Sequence, residues 1–222
     1  IKDSFDLMMN CSKYYLDFDN EYDYVYFVLW NFHTYVYELF DSTPYNDYTG
    51  TKRAGKSKAM EFQKLVCFNA IMSADMSGSS LFRIIEGLGS TILLDETEQF
   101  KNKKNDSMQH VRTLLMQGFL KDQYAIRSES KSDGGYTPTT FNLYSPKSLA
   151  HITELDDVLE DRCIQQLMRR TTNKDKLNSW PDEKRDSRFK DIRDACYRIF
   201  LDYGNEIYDL QIESQKLLKV SG

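Results

Sequence analysis

The sequence lacks any apolar run long enough to cross a membrane, although 41% of its 222 residues are hydrophobic. A membrane-spanning helix requires about 20 consecutive apolar residues, and nothing at the start of the chain has the pattern of a signal peptide. We therefore expect a soluble, intracellular protein of the cytoplasm, without a membrane partner. Because the chain begins at Ile1 rather than at methionine, we also expect it to be part of a longer protein.

Cysteine is scarce, and its few occurrences are far apart. Cys11, Cys67, Cys163 and Cys196 form no C-x-x-C pair, and no two histidines stand at the spacing of metal ligands. This pattern argues against a metal site built on cysteine or histidine and against a disulfide framework. We expect buried free thiols.

An excess of basic residues is also missing, since the net charge is −5. This balance argues against a surface coated with Lys and Arg for nucleic acid, but it does not exclude a basic channel inside an oligomer. Lys and Arg are absent from positions 14–51, where the segment 24–40 is dense in aromatic residues. Because base-stacking platforms need exposed rings beside basic residues, we interpret 24–40 as a buried packing helix and His33 as a core or interface histidine rather than a catalyst.

The most informative motif is G-T-K-R-A-G-K-S at positions 50–57, which matches the phosphate-binding pattern G-x-x-x-x-G-K-[ST] and leads into an amphipathic helix. Gly50 and Gly55 permit backbone conformations in which successive amide groups converge on a pyrophosphate. Lys56 would add positive charge at the β- and γ-phosphates, and Ser57 would offer its hydroxyl to Mg²⁺. The predicted nucleotide-binding residues are Gly50, Thr51, Lys52, Arg53, Ala54, Gly55, Lys56 and Ser57.

A second motif is an apolar strand, 90–94, that ends in Asp95 and Glu96. A continuous apolar run is typical of a buried parallel strand, and ligands bind at the carboxyl ends of such strands. There Asp95 could hold a water bound to Mg²⁺, and Glu96 could polarise the water that attacks the γ-phosphate. The alternative is that the two acids only begin a solvated helix, but their position after a complete phosphate loop favours a nucleotide site.

The strand that should enter the phosphate loop, over 43–49, is more polar than a central parallel strand usually is. It contains Asn46 and Asp47. Two interpretations stay open: either the strand is short and irregular, or Asp47 has a buried partner elsewhere in the chain.

A hairpin is predicted over 124–144, with a turn-rich, polar segment at 128–135. Its Arg127 and Lys131 are candidate contacts to the phosphates of a DNA strand in a central pore, and the alternative is a solvated hairpin tip. We expect the returning strand to lie beside the strand that carries the acid pair. Ser145, at its end, is then the candidate for orienting the attacking water, with Asn142 as the runner-up.

Arg162 follows an acidic segment and precedes another apolar stretch. An arginine presented to the γ-phosphate of a neighbouring subunit would stabilise transition-state charge, and that role requires a subunit interface. The alternative is a local ion pair with Asp161 or Asp157, and the spacing favours neither interpretation.

From about 35 to 170 the chain resembles the AAA+ class of P-loop ATPases, in particular the compact helicase-like ATPases of archaeal, viral and plasmid replication proteins. The resemblance rests mainly on 50–57 and 93–96, and more loosely on the hairpin, 144–147 and 155–170. It implies an α/β fold in which a parallel sheet is flanked by helices, with ATP and Mg²⁺ as cofactors. The roles that it implies are phosphate and magnesium binding for Lys56 and Ser57, the Walker B pair for Asp95 and Glu96, a place near sensor 1 for Ser145, and the arginine finger for Arg162.

The expected organisation is an N-terminal helical segment (1–42), a P-loop ATPase core (43–170), a linker (171–186) and a C-terminal helical lid or tail (187–222). The expected function is that of an ATP-hydrolysing motor, a DNA helicase or replication-initiation ATPase of a mobile element or virus, which acts on DNA as a homo-oligomeric ring. One alternative is an ATP-dependent switch or loader that remodels a protein partner. Another is a P-loop scaffold that does not hydrolyse nucleotide.

Overall fold

The computed structural model describes residues 1–73, 77–97, 106–130, 135–152, 155 and 157–220. In this part of the chain the helices are α1 (Lys2–Tyr15), α2 (Glu21–Val36), α3 (Lys56–Val66), α4 (Gly78–Leu88), α5 (Asp106–Gln117), α6 (Asp157–Glu160), α7 (Lys174–Asn178) and α8 (Arg188–Val220). The strands are β1 (Tyr45–Thr49), β2 (Ile71–Ser73), β3 (Ile92–Leu94), β4 (Tyr124–Ser130), β5 (Tyr136–Asn142), β6 (Lys147–His151) and β7 (Cys163–Leu167).

Five strands form one parallel sheet in the order β2-β3-β6-β1-β7, and helices cover both of its faces. The predicted α/β architecture is therefore confirmed. Because β6 lies between β1 and β3, the loop after β1 and the acids after β3 leave the sheet at the same edge, about 10 Å apart at the usual strand spacing. The remaining two strands, β4 and β5, form the predicted antiparallel hairpin outside this sheet.

The core is divided by the sheet into two clusters. Helices α1, α2, α3 and α8 pack on one face, to which β1 contributes Tyr48, while α4, α5 and the hairpin pack on the other, to which β1 contributes Tyr45. Both tyrosines are fully buried. Their assignment to opposite clusters follows from the alternation of side chains along a strand.

The aromatic helix α2 packs inside the first cluster. This confirms the prediction of a buried packing helix, which was based on the lack of Lys and Arg in this segment. Asn20 lies just before the helix, and its side chain caps it by accepting a hydrogen bond from the Asp23 backbone N–H. Phe27 contacts the ring of Phe62 on α3 at 5.4 Å between centroids, and the Trp30 indole donates to the Pro44 carbonyl at 3.0 Å. Phe27 and Trp30 therefore contribute to packing rather than to an exposed stacking surface.

The four cysteines are free thiols. Cys11, Cys67 and Cys196 are buried, and Cys163 is half-buried. Burial raises the pKa of the Cys11 thiol to about 12, which keeps it protonated and unreactive at neutral pH.

Helix α8 is 33 residues long, and its buried apolar contacts with the first core cluster lie in its first half. Phe189, Ile192 and Cys196 are buried there, whereas Leu201 and Leu210 are exposed further along. Neither α8 nor any other helix in the described part of the chain is both long and apolar enough to span a membrane.

His33 contributes a pH-dependent term to stability. Its Nε2 lies 2.6 Å from Thr43 Oγ1, and its ring packs against Phe40, as expected for a core histidine. Burial lowers the pKa of His33 from 6.5 to about 4. As the pH falls below 6.5, His33 becomes protonated in the unfolded chain but stays neutral in the folded chain until about pH 4. The free energy of unfolding therefore decreases across this pH range.

We expect the wild type to lose about 2 kcal/mol more free energy of unfolding than His33→Gln when the pH is lowered from roughly 7 to 4.5. Glutamine is the matched replacement, because its amide can still bond the Thr43 hydroxyl and does not titrate. Urea unfolding of both proteins at each pH measures the difference. Parallel pH curves for the two proteins would contradict this assignment.

Candidate nucleotide-binding site

The phosphate-loop motif follows β1 and leads directly into α3. Gly50 has φ +148° and Gly55 has φ +101°, conformations that residues with a Cβ rarely adopt. A Cβ on Gly50 would lie 2.2 Å from the Met168 carbonyl oxygen, and the Met168 N–H is itself bonded to Thr49 O at 2.8 Å. The close approach of the segment after β7 therefore requires glycine at the first position of the motif.

Lys56 is the first residue of α3, and its side chain folds back over the loop. Its Nζ donates to Gly50 O at 2.7 Å and to Thr51 O at 3.0 Å. The ammonium group is thus held inside the loop, next to the amino end of α3, where backbone N–H groups and the helix dipole favour an anion.

Ser57 joins the two sequence motifs. Its hydroxyl donates to Asp95 Oδ2 at 2.8 Å, across 38 positions of sequence. Asp95 Oδ1 accepts from the Glu96 backbone N–H at 2.9 Å, which fixes the orientation of the carboxylate. A hydroxyl and a carboxylate are oxygen ligands of the kind that Mg²⁺ takes, so these two side chains could act as ligands of a magnesium ion.

Glu96 has a left-handed backbone, with φ +59°, and its side chain is exposed. This conformation costs a residue other than glycine roughly 1 kcal/mol or more, and such strain is concentrated at functional sites. The next residue, Thr97, is buried, and its hydroxyl donates to the Ala150 carbonyl of β6 at 3.2 Å. The turn after β3 is therefore attached to the neighbouring strand with the Glu96 carboxylate facing solvent.

The partner of Asp47 is His151, the last residue of β6, and the sequence did not identify it. His151 Nε2 lies 2.8 Å from Asp47 Oδ1 and 3.0 Å from Oδ2, and both side chains are almost completely buried. Burial raises the pKa of Asp47, and the His151 imidazole opposes that shift. Of the two interpretations of the polar strand, the buried partner is the correct one, since β1 is regularly paired on both sides.

Ser145 does not lie where the sequence placed it. The strand beside β3 is β6, not the returning strand of the hairpin, because β5 pairs only with β4 and ends at Asn142. Ser145 therefore comes before the amino end of β6, at the edge of the sheet opposite the phosphate loop, and Asn142 is no closer. The prediction that either side chain orients the attacking water was wrong in its geometry, because the strand they end is not in the parallel sheet.

Arg162 comes immediately before β7 and also lies at the edge opposite the phosphate loop of its own chain. Its Nε donates to Met116 O at 2.9 Å, a second nitrogen contacts Val158 O, and its guanidinium lies 4.7 Å from the centre of the Phe119 ring. Among the described residues, Arg162 therefore bonds backbone carbonyls rather than forming an ion pair with an acidic neighbour.

Comparisons with known proteins identify the fold. No family model matches the sequence, and no curated protein matches it. Among solved structures, JCV helicase in complex with a thiazolopyridine-containing acetamide aligns at a TM-score of 0.51 and 11% identity, over 100% of this chain and 62% of that one. The chain has a helicase-like fold. The chain spans less than two thirds of the length of that helicase. At 11% identity the similarity is evidence for the fold but not for the activity.

Two further alignments are weaker. A second inhibitor complex of JCV helicase aligns at a TM-score of 0.49 and 9% identity, over 99% of this chain and 61% of that one. The C-terminal region of NrS-1 aligns at 0.43 and 12% identity, over 88% of this chain and 42% of the other. Neither adds to the fold assignment.

The predicted hairpin is present, but Arg127 is not at its tip. Arg127 lies in the middle of β4 and is half-buried. Its guanidinium packs 5.4 Å from the centre of the Phe82 ring and contacts His110 Nε2. The exposed side of the hairpin instead carries Tyr124 and Tyr136. The other predicted DNA contact, Lys131, lies outside the described residues.

Part of the predicted linker 171–186 packs beside the phosphate loop. The Thr171 hydroxyl and Lys176 Nζ both donate to the Asp17 carboxylate, Lys176 at 2.7 Å. These contacts enclose a cavity of about 30 Å³ that borders Gly55. This is about the share of one water molecule in the liquid, whereas ligand pockets measure roughly 300–1,000 Å³. In this arrangement the cavity does not accommodate a nucleotide base.

Proposed function

We propose that the chain is an ATP-binding and ATP-hydrolysing module of the AAA+ type, and that it works as a helicase or replication-initiation motor on DNA in a ring-shaped oligomer. The observation that carries the ATPase part is the 2.8 Å contact between Ser57 and Asp95. It joins two motifs, each predicted for phosphate and metal binding, at the edge where ligands bind in parallel sheets. The helicase-like fold supports the motor part.

In the proposed hydrolysis of ATP, each residue of the site would have a separate role. Backbone N–H groups of the loop would bind the phosphate oxygens, and the Lys56 ammonium would exchange its loop carbonyls for the phosphates. Ser57 and Asp95 would hold Mg²⁺, which supplies positive charge opposite the phosphates. Glu96, exposed beside Asp95, would accept the proton of the attacking water.

The position of Arg162 is an argument for the proposed ring-shaped oligomer. Arg162 lies at the edge opposite its own phosphate loop, so within one chain it cannot reach the nucleotide. Side-to-side assembly would allow it to serve the site of a neighbouring subunit, where an arginine finger contributes a factor of about 10³ to 10⁵ in known cases.

The two alternatives are affected differently by the structure. The scaffold interpretation drew support from the polar β1 strand, and the Asp47–His151 pair accounts for that polarity without a degenerate site. The interpretation as a switch that remodels a protein partner is separated from the DNA motor by the dependence of turnover on DNA.

The experiment is ATP hydrolysis by the wild type and Arg162→Ala, with and without single-stranded DNA, across a series of protein concentrations. We expect turnover per chain to rise with concentration and with DNA, and to fall at least tenfold in Arg162→Ala at high concentration. Arg185→Ala is the matched control, because Arg185 is exposed and forms a surface ion pair with Asp182. Turnover that ignores DNA, is independent of concentration and survives Arg162→Ala would contradict the ring motor.

A further inference from the structure

The end of β6 sets the distance between the two halves of the candidate site. The phosphate loop leaves the sheet from β1 and the acids leave from β3, with β6 between them. The 2.8 Å contact between Ser57 and Asp95 spans this gap. A shift of the end of β6 relative to either neighbour therefore changes the position of the acids relative to the loop.

Side chains hold the end of β6 on both sides. On the side of the acids, the Thr97 hydroxyl donates to Ala150 O at 3.2 Å. On the side of the loop, His151 Nε2 lies 2.8 Å from Asp47 Oδ1. Thr49 and His151 are the last register partners of β1 and β6, so the Asp47–His151 contact lies where the backbone ladder ends. In the described part of the chain, the pairing of these two strands ends at this point.

Net stability does not account for the pair. Replacing a buried polar or ionic pair by well-packed apolar side chains is often neutral or stabilising, because desolvation opposes the attraction. The surroundings add to this cost, because burial raises the pKa of Asp47 and the nearby Glu160 raises it further. A gain in stability is therefore a weak explanation for the pair.

We propose that Asp47 and His151 are a positioning pair for nucleotide hydrolysis, an inference that rests on the proposed function. The pair fixes the end of β6 against β1, and the Thr97 contact transmits that position to Asp95 and Glu96. Neither member of the pair touches the nucleotide. The expected signature is a change in kcat rather than in nucleotide affinity, since the loop itself is intact and a misplacement of about 1 Å can cost on the order of 100-fold in rate.

The decisive variant is the double substitution Asp47→Leu/His151→Leu in the full chain. His151→Leu alone leaves the Asp47 carboxyl buried without its partner and is expected to lower stability, whereas the double variant removes both polar groups and restores an apolar interior. We expect the double variant to melt near the wild-type temperature, with kcat reduced about tenfold or more and KM for MgATP within about threefold.

A conservative variant and a matched control complete the experiment. His151→Gln keeps an N–H donor near the position of Nε2 and should retain most of kcat. Ser148→Ala removes a different side-chain bond between these strands, which Asn46 donates to Ser148 at 3.2 Å on the opposite face, and should leave kcat unchanged.

Two results would overturn the inference. A stable double variant with wild-type kcat would show that the pair only fills space. The second result is a wild type that neither binds nor hydrolyses ATP, which would contradict the proposed function and therefore also the inference. Because this result is seen in the wild type alone, it can be distinguished from the first, which is seen in the double variant.

Discussion

Lys56→Ala is expected to reduce ATP turnover by at least 100-fold and to leave the fold intact. In the structure the Lys56 ammonium is held over the loop by Gly50 O and Thr51 O, the place where it would meet the β- and γ-phosphates. Charge that develops on the transferred phosphate is stabilised most by a preorganised cation in a protected site, and the loss of one such group costs roughly 10²- to 10³-fold in rate. The carbonyls lose a partner at the edge of the domain, so the cost in stability is about 1 kcal/mol.

Lys64→Ala is the matched control for this prediction. Lys64 lies on the same helix, is exposed, and makes a 3.5 Å contact with Glu61. Turnover of Lys64→Ala should equal that of the wild type, and thermal melts should show both variants folded. Hydrolysis that persists in Lys56→Ala within tenfold of the wild type would mean that phosphate is bound elsewhere, and the proposed ATPase site would be wrong.

The parts of the site that could be predicted are those encoded by contiguous residues. The loop at 50–57 and the strand that ends in Asp95 and Glu96 each have a local pattern that is independent of the rest of the fold. The hairpin and the aromatic helix α2 were likewise visible, because alternation, turn residues and the absence of Lys and Arg are local properties.

Strand β6 could not be predicted, and this caused the error at Ser145. Its sequence, Lys-Ser-Leu-Ala-His, has no apolar run, yet every residue of the strand is buried. Its three polar side chains all have hydrogen-bond partners: Lys147 bonds three backbone carbonyls before it, while Ser148 and His151 bond Asn46 and Asp47, more than 100 positions away. A pattern that treats polar residues as exposed cannot recognise such a strand, so the apolar end of the hairpin was assigned in its place.

Asp47 could be predicted only in part from the sequence. The sequence showed that a carboxylate in a central strand needs a partner, because a buried charge without one is costly. It could not show which residue that was, since His151 is 104 positions away and is brought next to Asp47 only by the crossover that inserts β6 between β1 and β3. Similarly, the register of β4 decides that Arg127 faces Phe82 rather than solvent.

Lys147→Met is expected to lower the free energy of unfolding by about 3 kcal/mol or more. Lys147 is fully buried at the amino end of β6, and its Nζ donates to the carbonyls of Gly118, Leu143 and Ser145 at 3.0, 3.0 and 2.9 Å. Burial lowers the pKa of Lys147, but only the ammonium form has three N–H groups for three acceptors. These bonds attach the end of α5 and the exit of the hairpin to the central sheet.

Two effects oppose each other in this variant. Methionine removes the cost of burying an ammonium group, but it leaves three buried carbonyls with one donor fewer, at about 1 kcal/mol or more each. We expect the second effect to dominate, because the same three bonds already offset much of the desolvation of the ammonium. Lys121→Met, which removes a single exposed bond to Glu38 O, should change stability by less than about 0.5 kcal/mol. Urea unfolding of both variants decides the question, and a loss below about 1 kcal/mol in Lys147→Met would show that desolvation cancels the three bonds.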